Sequence, residues 1–364
     1  MTSREANAIV KARPGRGQLE LVRRERRPPR SGEAQLRVGA AGICGTDLEI
    51  FLWPEWLAER MSGRLPVVVG HELSGVVEAV GPGVGNVAVG DRVSVESHVS
   101  CGSCGNCAAG MAHVCERLTY VGVEHDGGFA EFATLPAYLL RVVPPSIPIE
   151  IAAMLEPFGL AVRAAAGAAG SGEGGLRGGS VLVSGCGPIG LMAAAVARAR
   201  GARRVIVSEK APRRLAAARR LAGILGIDRV VDTAHDDVVE VVRTMTARRG
   251  VDLWIDLAGS RDALRCGVEA LVPGGEARLL GTAFDDVPLR LSAVVMKELR
   301  LVAVHGRLLF ETWDLAVELL ASGQVDLAPL VSRVLPLQAY SSAIELLLEG
   351  EALKILLVAD PAGA

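Results

Sequence analysis

The stretch CGSCGNCAAGMAHVC places Cys101, Cys104, Cys107 and Cys115 at C-x2-C-x2-C-x7-C, so that four of the seven cysteines in the 364-residue chain fall within fifteen residues. Four thiolates gathered on one short lobe make a closed tetrahedral metal site, which contributes folding energy and leaves no position for a substrate. Zinc is the expected ion, and an iron–sulfur cluster is the other four-cysteine option. A disulfide framework belongs to secreted chains. The N-terminal MTSREANAIVKARPGRG is charged throughout and lacks the apolar core of a signal peptide, so a cytoplasmic location is expected.

Around this lobe, roughly residues 5 to 155 read as short β-branched runs broken by glycine and proline, such as AQLRVGAAGI, VVVGHELSGVVEAVG and DRVSVESHV. Closely spaced short strands of this kind predict a β-rich, barrel-like domain. Near Ala161 the texture changes to alternating strands and helices: SVLVSG, IGLMAAAVARARG, RVIVSE, PRRLAAARRLAGIL, DVVEVVRTMTARRG and VDLWIDLAG. That alternation predicts βαβ units and a parallel sheet covered on both faces, making the chain α/β overall. The Gly-rich GAAGSGEGGLRGG before it reads as a surface connection. Gly179 to Ala197 lacks any charge, but its glycines and Pro188 suit a buried strand turning into a buried helix rather than a membrane span. The net charge of −2 gives no basic face of the kind that neutralises phosphates, so nucleic acid is excluded as the expected partner.

Two further motifs carry chemistry. GCGPIG, from Gly185 through Gly187 to Gly190, is G-x-G-x-x-G; it follows an apolar strand, opens a helix, and is followed by Glu209 at the end of the next strand. In that context the glycines admit a pyrophosphate at a helix N-terminus, and the carboxylate accepts from the adenosine ribose hydroxyls. Glu209 would repel a 2′-phosphate, which favours NAD over NADP, although Lys210, Arg213 and Arg214 stand close by. Separately, Cys44 in CGTDLEIFLWPEW and His71 and Glu72 in GHE supply a thiolate, an imidazole and a carboxylate. Zinc accepts all three, and an open zinc site binds an alcohol and lowers its pKa.

In the order GICGTD, GHELSGVVEAVG, VGDRV, the four-cysteine lobe, LEPFG, GCGPIG and PGGEARLLG, the chain resembles the zinc-dependent medium-chain dehydrogenases over nearly its full length. Within them it is nearest to the threonine dehydrogenase branch, through Trp53 and Trp56, VESHVSCGSC, VIVSE and HGRLLFETWDLAVELLASGQVDLAPLV. The resemblance implies a GroES-like catalytic domain over 1–160, a Rossmann NAD-binding domain over 161–300, and a 301–364 segment returning to the catalytic domain, with the active site in the cleft between the two. It further implies a tetramer, no membrane partner, and a small secondary alcohol as substrate.

Carried over by position, Cys44, His71 and Glu72 are the catalytic zinc ligands. Glu156 of LEPFG is a nearby carboxylate that joins the zinc or assists proton transfer, or else simply a helix N-terminal acid. Asp47 is expected to orient His71. Thr46 is the hydroxyl that takes the alcohol proton. Ile189, Glu209 and Arg214 match cofactor contacts, as do Leu280, Gly281, Thr282, Val304 and His305 at the nicotinamide end. Arg307 is placed to meet a substrate carboxylate or to form an interdomain ion pair, and His98 flanks the lobe as a substrate contact. One residue departs from the branch pattern. Threonine dehydrogenases carry a histidine three residues after the relay threonine, where this chain has Glu49; related sugar dehydrogenases place a glutamate in a CGTD-x-E arrangement to hold a substrate hydroxyl. The implied activity is NAD-dependent oxidation of an amino alcohol such as threonine, with a polyol, sugar or aminocyclitol as the alternative substrate.

Overall fold

The computed structural model describes residues 5–167, 178–282 and 286–359, and the chain divides into two units. The first comprises Met1–Pro157 and Leu330–Ala364, the second Phe158–Pro329. The expected Gly-rich connection lies almost wholly outside the described residues.

The first unit is built on a seven-stranded sheet. Its path runs Leu140–Val142, Arg92–Val95, Glu72–Val80, Glu33–Gly42, Lys354–Val358 and Val331–Pro336, and Phe132–Pro136 also pairs with Glu33–Gly42. A separate three-stranded sheet joins Leu19–Glu25, Glu5–Lys11 and Val67–Val68. Alternation along the strands turns Leu36, Val77, Val93, Leu135 and Ile355 into one apolar core. The C-terminal strand enters this sheet antiparallel to Glu33–Gly42, with Leu356 opposite Gly42 and Leu357 opposite Ala41. That register carries the last strand of the chain to the end of the strand that precedes Cys44.

The second unit holds a six-stranded, all-parallel sheet. Its order is Arg229–Asp232, Arg204–Glu209, Ser180–Ser184, Val251–Asp256, Leu271–Leu279 and Arg300–Ala303, the strand order 3-2-1-4-5-6 of a doubly wound dinucleotide-binding fold. The uncharged segment is resolved into the fully buried strand Ser180–Ser184 and the helix Pro188–Ala199, buried from Gly190 to Ala197. Among the described residues, no helix is long and apolar enough to cross a membrane.

The unit boundaries differ from those expected. The second unit begins at Phe158 and the chain rejoins the first only at Leu330, not at 301. Arg300–Ala303 is the sixth strand of the parallel sheet, pairing with Leu271–Leu279, and the following helix Glu311–Ala321 buries Trp313 and Leu319 within the same unit. A four-residue strand is too short to announce itself in the sequence, and so 301–329 reads there as part of the tail.

Candidate active site

The Glu33–Gly42 strand is followed by Ile43 and by Cys44, which stands before the helix Gly45–Leu52. Asp47 accepts a hydrogen bond from the Cys44 backbone N–H at 2.8 Å, which fixes the turn that presents the thiol. His71 and Glu72 lie at the start of the neighbouring strand, where Gly42 is paired with Glu72. Strand pairing therefore brings together residues almost thirty positions apart: the Cys44 thiol, a His71 ring nitrogen and a Glu72 carboxylate oxygen all lie within 4.8 Å of one another.

Buried in this cluster, His71 Nδ1 and Glu72 Oε1 have no hydrogen-bond partner, an arrangement that is costly unless a cation satisfies it. Burial works against a protonated His71, yet the charges of Cys44, Asp47 and Glu156 outweigh it and hold its pKa well above the ordinary value. The field that favours a proton there also favours a metal ion, and thiolate, imidazole and carboxylate are a zinc donor set. The residues present fit zinc.

Other expected residues are placed as follows. Asp47 Oδ1 is 3.9 Å from His71 Nδ1, within ion-pair range but beyond a hydrogen bond, so its direct tie is to the Cys44 backbone rather than to the imidazole. Glu156 does not join the three-residue cluster; it is buried, and its Oε1 accepts from the Ser97 hydroxyl at 2.6 Å. Glu96 Oε1 accepts both from the His98 backbone N–H at 2.8 Å and from Nδ1 at 2.7 Å. The His98 ring meets Tyr120 edge-on, 5.0 Å between centroids. Thr46 and Glu49 are both half-buried and stand three residues apart, on one face of the Gly45–Leu52 helix. Burial pushes the Glu49 carboxyl above its ordinary range. Trp53 ends that helix in a left-handed conformation, with the Lys11 ammonium 4.3 Å above its ring, while Trp56 is partly exposed.

Sequence reasoning missed Lys354. It is 2% exposed, its ammonium pairs with Glu72 Oε2, and it donates to the Ile43 carbonyl at 2.9 Å. The one available signal is a lone charge opening the apolar run KILLV.

The cysteine lobe is assembled as its spacing requires. Sulfur–sulfur distances are 3.4 Å for Cys104–Cys107 and Cys115–Cys101, 3.8 Å for Cys104–Cys115 and 4.0 Å for Cys101–Cys107. Metal–sulfur bonds of about 2.3 Å in a tetrahedron give edges of about 3.8 Å, so the four sulfurs already outline a zinc site. The Ser103 backbone N–H leads the hydrogen bonds that lower the Cys101 thiol to about 5, favouring the thiolate a metal needs.

In the second unit, Gly185 has φ +102°, and a side chain on Gly190 would begin 1.9 Å from the Gly185 carbonyl oxygen. Gly187 is different: a Cβ there meets nothing within 4 Å, leaving open space at the N-terminus of the helix Pro188–Ala199. Glu209 lies beside this turn, its Oε2 accepting from the Cys186 N–H at 2.9 Å and its Oε1 from the N–H groups of Lys210 and Ala211 at 2.8 and 2.9 Å. Arg214 is 4.0 Å from Glu209. The site fits a dinucleotide: an open cradle of amides for the pyrophosphate and an immobilised carboxylate for ribose hydroxyls.

The N–H groups of Leu280 and Gly281 both donate to the Asp256 carbonyl, and Gly281 packs so closely on Gly259 that a Cβ would fall 2.2 Å from its nitrogen. Val304 N–H donates to Leu279, the His305 carbonyl accepts from Arg163, and Thr282 is exposed. Arg307 is 2% exposed, packed where Gly159 leaves room for it.

A GroES-like first unit with two zinc-type clusters and a dinucleotide-binding second unit define a class, and comparison with known proteins agrees. Residues 30–145 match the alcohol dehydrogenase GroES-like domain and residues 188–322 the zinc-binding dehydrogenase domain. The chain belongs to the zinc-dependent alcohol dehydrogenase family. L-threonine 3-dehydrogenase of Pyrococcus horikoshii is 40% identical over 351 residues, covering 96% of this chain and 97% of that one. Among solved structures, an alcohol dehydrogenase from Escherichia coli CFT073 complexed with NADH superimposes with a TM-score of 0.85 at 29% identity, over 98% of this chain and 100% of that one. The 2R,3R-butanediol dehydrogenase of Bacillus subtilis gives 0.85 at 26% identity, with the same coverage.

Proposed function

We propose that the protein oxidises a secondary alcohol to a ketone with NAD, and that the alcohol is L-threonine or a close amino-alcohol relative. The observation that carries this reading is the convergence of Cys44, His71 and Glu72 within 4.8 Å in a chain 40% identical to a threonine dehydrogenase. When bound, zinc at these residues would supply a Lewis acid that lowers the alcohol pKa, and NAD held at the glycine turn would supply the hydride acceptor.

The chain's own residues do the rest. Cys44, His71 and Glu72 hold the metal, and Asp47 fixes the backbone that presents Cys44. Thr46 takes the alcohol proton, and Glu49, along the same helix face, or Glu156 carries it onward. The Glu209 carboxylate, fixed by three backbone N–H groups, accepts from ribose hydroxyls and repels a 2′-phosphate. Arg307 and His98 are assigned to the substrate by position. Cys101, Cys104, Cys107 and Cys115 hold a structural zinc.

Glu49 favours a second reading, a polyol, sugar or aminocyclitol substrate, because a half-buried carboxylate in place of the histidine can accept a hydrogen bond from a substrate hydroxyl. NAD reduction with L-threonine against a panel of polyols and amino sugars separates the two: turnover of a polyol without turnover of L-threonine overturns the first. Seven cysteines, none of them in a disulfide, fit a reducing, cytoplasmic setting. Exposed Val295 and Met296 beside the outermost strand Arg300–Ala303 fit a homo-oligomer, a tetramer by family resemblance, which light scattering checks.

A further inference from the structure

Lys354 is nearly as deep in the molecule as any core residue, and it points its ammonium at a carboxylate already assigned to the metal centre. Its position follows from sheet register. With Leu356 opposite Gly42, Ile43 N–H donates to the Ile355 carbonyl at 3.0 Å, so the start of the C-terminal strand is drawn up beside Cys44. Lys354 Nζ then reaches two groups, the Ile43 carbonyl at 2.9 Å and Glu72 Oε2.

Space for this pair is kept by Gly42, where a Cβ would sit 2.2 Å from Glu72 Oε2 and 3.1 Å from Lys354 Cε. The carboxylate therefore has two faces. Oε2 is held by a buried cation on the C-terminal strand, while Oε1 is buried without a hydrogen bond, and the same carboxylate supplies an oxygen to the Cys44–His71 cluster.

We propose that Lys354 is a positioning residue of the metal centre that shares Glu72 with zinc and so keeps this third ligand weak and exchangeable. A fixed positive charge on one carboxylate oxygen draws electron density from the other and repels a divalent ion bound there, both of which loosen the metal. With zinc bound, a weakly held Glu72 would leave room for the alcohol, while Cys44 and His71 would keep the ion in place.

The inference rests on reading Cys44, His71 and Glu72 as zinc ligands, and the test separates the two. Zinc release from the purified full-length protein to a chromogenic chelator is followed for wild type and Lys354→Met, with Cys44→Ser identifying the fraction that leaves the catalytic centre. The catalytic zinc of K354M is expected to leave at least about tenfold more slowly, and the melting temperature to fall further in zinc-stripped than in zinc-loaded protein. Equal or faster release from K354M, or equal losses of melting temperature in both forms, overturns the proposal.

If wild type carries a single zinc that Cys104→Ser removes, the zinc reading itself fails, a result distinct from two zincs with unchanged release. Should K354M not fold, the double variant K354M/E72Q, which removes both charges, is expected to fold. Failure of the double variant would mean that Lys354 serves packing independently of Glu72, and would refute the proposal.

Discussion

Two alanine substitutions in the glycine turn should have opposite consequences. At Gly190 a new Cβ lies 1.9 Å from the Gly185 carbonyl oxygen, more than 1 Å inside ordinary contact, and neither backbone can yield without moving the helix Pro188–Ala199 off the sheet. Overpacking of this kind costs about 1–3 kcal/mol or more. At Gly187 the backbone is already in an ordinary region, φ −67° and ψ 176°, and the added methyl meets no atom within 4 Å. Losing a glycine there changes stability by no more than about 1 kcal/mol in either direction. The methyl does, however, occupy the space through which a phosphate approaches the helix N-terminal amides. Losing one charge-assisted hydrogen bond is worth about 1.5–3 kcal/mol, so the Gly187→Ala dissociation constant for NADH should rise about tenfold to a hundredfold. Calorimetric titration with NADH and thermal melting by circular dichroism measure both quantities. Unchanged NADH affinity in Gly187→Ala, or a melting loss equal to that of Gly190→Ala, would refute the assignment of this turn to the pyrophosphate.

Cys104→Ser should lower the zinc content from two ions per chain to one and open the 101–117 lobe to protease, whereas an unchanged zinc count would remove the lobe from the metal account. Burial lowers Lys11 from its ordinary 10.5 to about 8. The unfolded chain therefore keeps this proton to higher pH than the folded one, and the stability of wild type relative to Lys11→Met should rise as pH passes from 8 to 10.5; urea melts showing a falling difference would contradict this. Glu49→His should raise the rate of L-threonine oxidation near neutral pH if position 49 relays the proton, and an unaltered pH profile would make Glu49 a substrate contact.

The parts of this molecule legible in its sequence are those whose logic is local. The four cysteines lie in one lobe, and the glycine turn stands between its own strand and helix, so spacing alone specifies each. The texture change near residue 160 likewise follows from periodicity. What could not be read depends on pairing across long stretches of chain. Lys354 reaches Glu72 only because the last strand docks beside Glu33–Gly42, and Ser97 reaches Glu156 only when two segments 59 residues apart are folded together. The boundary at Leu330 was hidden for a related reason: RLVA becomes a strand through its partner Leu271–Leu279, not through its own propensity. Glu49 is a third case, since its half-burial and raised pKa are set by surroundings that residue spacing does not encode.

The central claim, that alcohol oxidation takes place at a metal held by Cys44, is tested most directly by NADH formation from L-threonine in zinc-reconstituted wild type and Cys44→Ser, measured with zinc content and NADH affinity. Loss of a Lewis acid worth several kcal/mol predicts a fall in rate of about a thousandfold or more, with the lobe zinc retained and NADH still bound. Turnover by Cys44→Ser within about tenfold of wild type would contradict it.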